Sequence, residues 1–290
     1  MIQAGFGDYV KLVFTSTLLQ LGGVLGIFFV FGTILFLLER QTTGLYARTV
    51  GWRGILFTAW LGTPVHEAGH AVFCLLFRHR ILAFQPFQPD RRSGVLGYVT
   101  HAWNQSSIYQ NVGNLFIGAG PLISGSLALY GLLHLLVPNG QSIFGAIHGS
   151  MSSLAPGGNI LAKGIVVVSA GGNALLGLLS PQNLVDWRFW VFLYLAGCIA
   201  THLAPSPSDL TGVWSGLAWL TGIVLAANVV LLLVGVNATA HVTRLTRSLA
   251  GLVSMLLLSV VLSFLHLLAA SVVFSVYGRL RGRRSYNPIA

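Results

Sequence analysis

The chain has 290 residues, of which 54% are hydrophobic and only 8% charged. A soluble domain carries about 25% charged residues, so this composition excludes a water-facing globular surface and makes lipid the solvent. The net charge of +10 arises from 16 Lys and Arg against 6 Asp and Glu, but the basic residues cap apolar runs, which argues for membrane anchoring and against nucleic-acid binding.

An uncharged run of roughly 18 or more apolar residues crosses a bilayer. Such runs predict spans near 18–38, 55–77, 112–137, 186–203, 211–235 and 248–278. The fold expected is an all-α, multi-pass membrane protein of about six transmembrane helices, forming one domain over 1–290. The N-terminus lacks the basic stretch of a signal peptide and shows no clear cleavage site, so the first run reads as a retained span.

The second run contains Thr63-Pro64-Val65-His66-Glu67-Ala68-Gly69-His70. On a helix, residues four apart lie one turn above each other on one face. Two imidazoles so placed can share one zinc ion (Zn2+). Glu67 then lies on the adjacent face, positioned as general base towards an attacking water. Ionisable side chains inside a span are costly and demand a partner or a purpose, and three stand here within five residues. The plainer alternative is a polar network tying helices together. Thr63 suits a helix N-cap and Pro64 a first turn, so the zinc helix is expected to begin near Thr63, with Gly54 to Gly62 a separate, angled piece. Ala68 and Gly69 are small enough for a second helix to approach.

Beyond the motif, 78–110 is polar, with Arg78, Arg80, Asp90, Arg91 and Arg92. Its stretch Val95 to Trp103 is β-branched and aromatic around Gly97, which predicts a short β-hairpin at the membrane face. The stretch 138–158 reads as an exposed loop. The next apolar stretch, 160–179, is broken by Lys163 and Asn173 and reads as ambiguous. Cys74 and Cys198 lie in apolar runs without a CxxC and read as small buried residues.

A catalytic zinc takes three protein ligands and keeps one position open. Few acids are available for the third. Glu39 lacks a suitable motif, Asp8 sits near the N-terminus, Asp90 is flanked by Pro89 and Arg91, and Asp186 resembles an interfacial anchor. Asp209 lies in a proline-broken turn between two apolar runs, where its carboxylate can be aimed inward, although Ser208 or Asp209 would also suit a helix N-cap. His202 is the second candidate ligand. His101 and the remaining histidines read as core or interface residues. Six spans put both termini on one side, and the basic tail of Arg279, Arg281, Arg283 and Arg284 makes that side cytoplasmic. His70 and Asp209 then arrive at compatible depth only if 160–179 is a partial or interfacial segment.

These residues resemble the site-2 protease family of intramembrane metalloproteases. HEAGH at 66–70 matches that family without change. Gly118-Ala119-Gly120-Pro121-Leu122-Ile123-Ser124 is similar to its AGPLxN segment, with Ser124 in place of Asn. The turn at 202–209 is similar to its N-x-x-P and Leu-Asp-Gly pattern, with His202 at the Asn, Pro205 at the Pro, Asp209 one residue early and Leu210 in place of Gly. The resemblance covers about 55–212, the expected catalytic core. It implies hydrolysis of peptide bonds in or near transmembrane segments of protein or peptide substrates, with His202 in the polar role of the Asn beside the substrate carbonyl. Val95 to Trp103 offers an edge for an unwound substrate to pair with. A compact chain of this kind suits a prokaryotic cytoplasmic membrane. Two other readings stand beside it. One is a transporter or channel for a metal ion or small solute, since intramembrane His and acidic residues also mark ion paths. The other is an inactive membrane-protein binder.

Overall fold

The computed structural model describes residues 6–154, 159–235 and 249–280. In chain order the elements are α1 (Phe6–Thr49), α2 (Trp52–Leu76), β1 (Arg80–Gln85), β2 (Tyr98–Ala102), α3 (Ile108–Leu136), α4 (Gly140–Ser152), α5 (Ile160–Leu178), α6 (Pro181–Leu184), α7 (Trp187–Ala200), α8 (Val213–Leu233) and α9 (Ala250–Leu280). The architecture is all-α with one two-stranded antiparallel sheet. Among the described residues, five helices are long and apolar enough to cross a membrane: α1, α3, α5, α8 and α9. This marks an integral membrane protein. All six expected spans are helices. Two of them differ from the other four in character: α7 has only 14 residues, and α2 has 25 but carries Arg53, His66, Glu67 and His70. Helix α1, with 44 residues, is about 66 Å long at 1.5 Å per residue, so it extends well beyond a hydrocarbon core of about 30 Å.

Helix α2 tolerates its polar residues because other helices shield them. It packs on α3 and α7 and borders α1, and its buried residues include Gly62, Thr63, Glu67, Gly69 and His70. Contrary to expectation, it does not begin at Thr63. It runs unbroken through Pro64 from Trp52, and Gly51, at φ 72°, makes the turn from α1. One missing N–H at Pro64 does not end a helix whose flanks are held by neighbours on several sides. Thr63 Oγ1 is left buried without a hydrogen-bond partner.

The stretch 138–158 is not a simple exposed loop. Residues 140–152 form α4, and Ile143, Ile147 and Met151 make a buried stripe at four-residue spacing. Helix α5 then runs back along it. Asn139, at the start of α4, donates to the carbonyl of Gly177 at 3.0 Å, and Asn183 donates to Asn139 Oδ1 at 2.8 Å. The ends of the α4–α5 hairpin therefore meet. The ambiguous stretch 160–179 is helical: Ile160–Leu178 is a helix of 19 residues, long and apolar enough to cross a membrane.

The polar segment after α2 forms a wider hairpin than 95–103 alone. Strand β2 pairs with β1, Arg80 opposite Ala102 and Gln85 opposite Tyr98, with a bulge between Ile81 and Ala83. The turn lies at 90–94: Asp90 accepts from the N–H groups of Arg92 and Ser93, and Gly94 takes φ 75°. The hairpin packs on α2.

Lipid offers helices little hydrophobic reason to associate, so close backbone approach and interhelical hydrogen bonds hold the bundle. A Cβ on Gly120 would lie 2.8 Å from the Gly69 carbonyl oxygen, so α2 and α3 cross backbone to backbone. Ser259 donates to Ser126 at 2.9 Å and Ser263 to the Ala200 carbonyl at 2.9 Å. Both cysteines are buried and free. On α8, a Cβ on Gly216 would lie 2.6 Å from the Leu115 amide nitrogen, whereas Gly222 has open space. Gly216→Leu is expected to cost at least about 1–3 kcal/mol, read as a lower unfolding temperature in detergent. Gly222→Leu should be near neutral, and equal effects of the two would refute the close α3–α8 approach.

Candidate metal centre

His66 and His70 project from successive turns of α2, and their Nε2 atoms lie 3.2 Å apart. Asp209, from the turn between α7 and α8, closes the triangle: Oδ2 is 3.4 Å from His66 Nε2 and Oδ1 is 3.2 Å from His70 Nε2. Among the described residues, these are the one group of three or more whose ligand atoms all lie within 4.8 Å of one another.

Each member is oriented by a backbone group. His66 Nδ1 donates to the His202 carbonyl at 2.7 Å and His70 Nδ1 to the Ile117 carbonyl at 2.8 Å. Asp209 Oδ2 accepts from the Ser206 N–H at 2.6 Å. The Ile117 carbonyl is free for this because the residue four further on is Pro121, which has no N–H to give it. The His202 carbonyl is free because α7 has ended at Ala200.

These bonds decide the tautomers. A carbonyl only accepts, so both Nδ1 atoms carry hydrogen, and in the neutral rings both Nε2 atoms present lone pairs. Two imidazole lone pairs and a carboxylate then converge on one point, an arrangement that repels itself unless a cation sits among them. Ligand distances of 2.0–2.1 Å in a tetrahedral site imply donor separations of about 3.3 Å; the two imidazole nitrogens match that spacing, and each Asp209 oxygen lies at such a distance from one of them. The donor set fits a metal ion with three protein ligands and an open position.

That open side faces a cavity of about 510 Å³. The hairpin residues 93–99, with His101 and Trp103, line one part of it, and Glu67, Asn114, Ile117 and Gly118 line others. Among the described residues, Glu67 has no hydrogen-bond partner, so its carboxylate is free for water. Gly118 is required here, since a Cβ would lie 2.6 Å from the Asp209 carbonyl oxygen. No protein-family model, curated protein or solved structure matches this chain. Its chemistry therefore has to be read from the site.

The expected residues fall into two groups. His66, Glu67, His70 and Asp209 come together. The His202 ring does not join them: its Nε2 hydrogen-bonds Thr58 Oγ1 at 3.1 Å, and only its carbonyl reaches the centre, through His66. Ser124 bonds back to the Gly120 carbonyl at 2.9 Å beside the α2–α3 crossing. Asp186 caps α7 and pairs with Arg188. His101 pairs with His79 at 3.0 Å, and His79 donates its other nitrogen to the Gln110 carbonyl. Burial, with the neighbouring His79 and His70, pushes His101 down to about 4, so at neutral pH this pair is uncharged. Glu39, set aside on sequence grounds, lines the same cavity. Its signal was a carboxylate at the end of an apolar run, a position that demands a purpose.

Pro121→Ala would supply an N–H that competes for the Ile117 carbonyl and loosens His70. If the candidate centre takes a metal ion, its affinity for added zinc, measured by chelator competition on purified protein, should fall about 10–100-fold without loss of helix content. Unchanged affinity would show that Ile117 does not orient the ligand.

Proposed function

We propose that this chain is an intramembrane zinc metalloprotease, related in mechanism to the site-2 protease family that its motifs resemble. The observation that carries the reading is the convergence of His66, His70 and Asp209 with an unpartnered Glu67 beside them, at the wall of a cavity bordered by a strand. A structural polar network would pair Glu67; a hydrolytic site needs it free.

His66, His70 and Asp209 would hold the ion. Zinc there would supply Lewis acidity at neutral pH. Glu67 takes the proton of the attacking water and later passes it to the departing amine nitrogen. The outer carbonyls of His202 and Ile117 keep both imidazoles in the tautomer that can ligate. The third ligand is Asp209, and the His202 ring serves neither as ligand nor beside the substrate carbonyl.

The substrate is a transmembrane protein or peptide segment. A helix hides its carbonyls in its own hydrogen bonds, so the segment must unwind to be cut. An unwound segment has unpaired backbone groups, and β2 has a free edge, since β1 occupies only one side. Substrate would pair along β2 and so be drawn across the centre. On a reading with six spans and α4 and α5 as an inserted hairpin, His70 and Asp209 would meet at one depth, on the cytoplasmic side of a prokaryotic cytoplasmic membrane. The basic residues Arg281, Arg283 and Arg284, on which that orientation leans, lie outside the described residues.

Zinc content and cleavage of a model transmembrane substrate test this in detergent. Wild type should bind one zinc, His66→Ala and Asp209→Ala should lose it, and Glu67→Gln should keep it while cleavage falls about 10²–10⁴-fold. A well-folded wild type without zinc would refute the metalloprotease. Metal flux into vesicles that survives Glu67→Gln would replace it with a transporter.

The strand edge is tested separately. Gly97 is unsuited to substitution, since a Cβ there would lie 2.9 Å from both Gln85 O and Thr63 Cγ2. Successive N–H groups of a strand point to opposite sides, so of Val99 and Thr100 one faces the free edge. Val99→Pro or Thr100→Pro should therefore reduce cleavage about tenfold or more while zinc remains bound. Full cleavage by both variants would rule out strand pairing.

A further inference from the structure

His101 lines the cavity but has no part in the reading above. On β2, Val99 and His101 are half-buried, whereas Tyr98, Thr100 and Ala102 are exposed. Val99 and His101 therefore share the inward face, and both line the cavity. A chain of hydrogen bonds fixes the His101 ring. His79, buried just beyond α2, donates from Nε2 to the Gln110 carbonyl at 2.8 Å. Burial lowers both histidines from their ordinary range, so both rings are neutral at neutral pH. His79 Nδ1 then carries only a lone pair, and the hydrogen in its 3.0 Å bond to His101 Nδ1 belongs to His101. His101 Nε2, on the other edge of the ring, is left as an acceptor. Trp103 stacks on His79 with ring centroids 5.8 Å apart and lies 5.6 Å from the His101 ring, which packs the pair in place. Among the described residues, no hydrogen bond reaches His101 Nε2. Nor is the atom sealed: the buried side-chain polar atoms without a partner among those residues are Thr63 Oγ1 and Asn183 Oδ1. His101 thus offers the cavity an open lone pair of fixed tautomer.

We infer that His101 Nε2 is a specificity-determining acceptor, which recognises an uncharged donor side chain of the substrate: the hydroxyl of Ser or Thr or the carboxamide of Asn or Gln. This rests on the protease reading and specifies its substrate class. A substrate strand paired with β2 spends its backbone groups on the ladder, so what meets a β2 side chain is the neighbouring substrate side chain on the same face. Opposite His101 that face is the cavity side. The His101–His79–Gln110 chain supplies an acceptor but no negative charge, so a Lys or Arg there would find nothing to offset the loss of its hydration. A hydroxyl or carboxamide needs only the lone pair. An apolar residue in the same place would cover Nε2 and leave it without a partner. The contact would fix the register of a substrate along β2, by holding one polar residue at a set distance from the centre.

The experiment uses one model transmembrane substrate in which Thr or Val, alike in shape and different in the hydroxyl, is placed in turn at each position flanking the cleaved bond. At one position wild type should prefer Thr, by about three- to tenfold in kcat/KM. His101→Phe keeps a ring and removes the lone pair, and it should bring the Thr/Val ratio at that position to about 1. The ratio is taken within each protein, so a smaller folded fraction lowers both rates and leaves it readable. His79→Phe removes the acceptor that holds the hydrogen on His101 Nδ1, and it should lower the same ratio with the His101 ring in place. Binding of the Thr and Val peptides to Glu67→Gln protein, with and without His101→Phe, should show the same preference without cleavage. Cleavage of both series with no Thr preference at any position overturns the inference, leaves Nε2 to water and leaves the protease standing. A Thr preference that persists in His101→Phe also overturns it, and one that persists unchanged in His79→Phe overturns the tautomer argument behind it. If no substrate is cut, the protease reading fails, and equal binding of the Thr and Val peptides then removes the His101 contact as well.

Discussion

Two backbone carbonyls and one backbone N–H hold His66, His70 and Asp209 in an arrangement that suits a cation. His66 and His70 would sit one turn apart on any helix with this spacing. Their Nε2 atoms face each other 3.2 Å apart because His202 O and Ile117 O each take the hydrogen from Nδ1. Both carbonyls are available because regular structure fails locally, at Pro121 inside α3 and beyond the end of α7. The features that would weaken a helix in isolation are here the source of the acceptors.

Membrane depth sharpens this. A backbone carbonyl without a partner in hydrocarbon is costly, so an interruption survives only where it is buried in protein or lines a cavity. Ile117 O would be such an orphan without His70, and His70 would be unoriented without Ile117. Gly69 and Gly120 bring α2 and α3 backbone to backbone, and Gly118 admits the Asp209 turn on the same stretch of α3. Helix crossing, proline and ligand geometry thus form one arrangement, which also explains why so polar a helix as α2 stands inside the bundle.

His66, Glu67 and His70 were legible in the sequence because their geometry is local: the helical period alone sets which face each occupies. Asp209 was legible by a weaker route, as an acid in a proline-broken turn with few competitors. The His202 ring was not, because its direction depends on Thr58, 144 residues away. Pro64 read as a helix start because a missing N–H suits a first turn, whereas the neighbours of α2 carry the helix through it. The same difficulty hid α4. Its Gly- and Ser-rich sequence resembles a loop, and only the partner surface of α5 and α9 makes a stripe of Ile143, Ile147 and Met151 worth burying.

The inserted α4–α5 hairpin bears on how the centre is assembled. A helix of 13 residues reaches about 20 Å, too short to cross a 30 Å core, yet long enough to reverse the chain inside the bundle before α5 returns. The polar clamp of Asn139 and Asn183 closes the two ends at one level. Helix α7 starts beside that clamp and has only 14 residues. Its end puts the His202 carbonyl and then Asp209 beside His66 and His70. The position of Asp209 is therefore set by where a short helix ends, and a longer α7 would carry the same turn past His66 and His70.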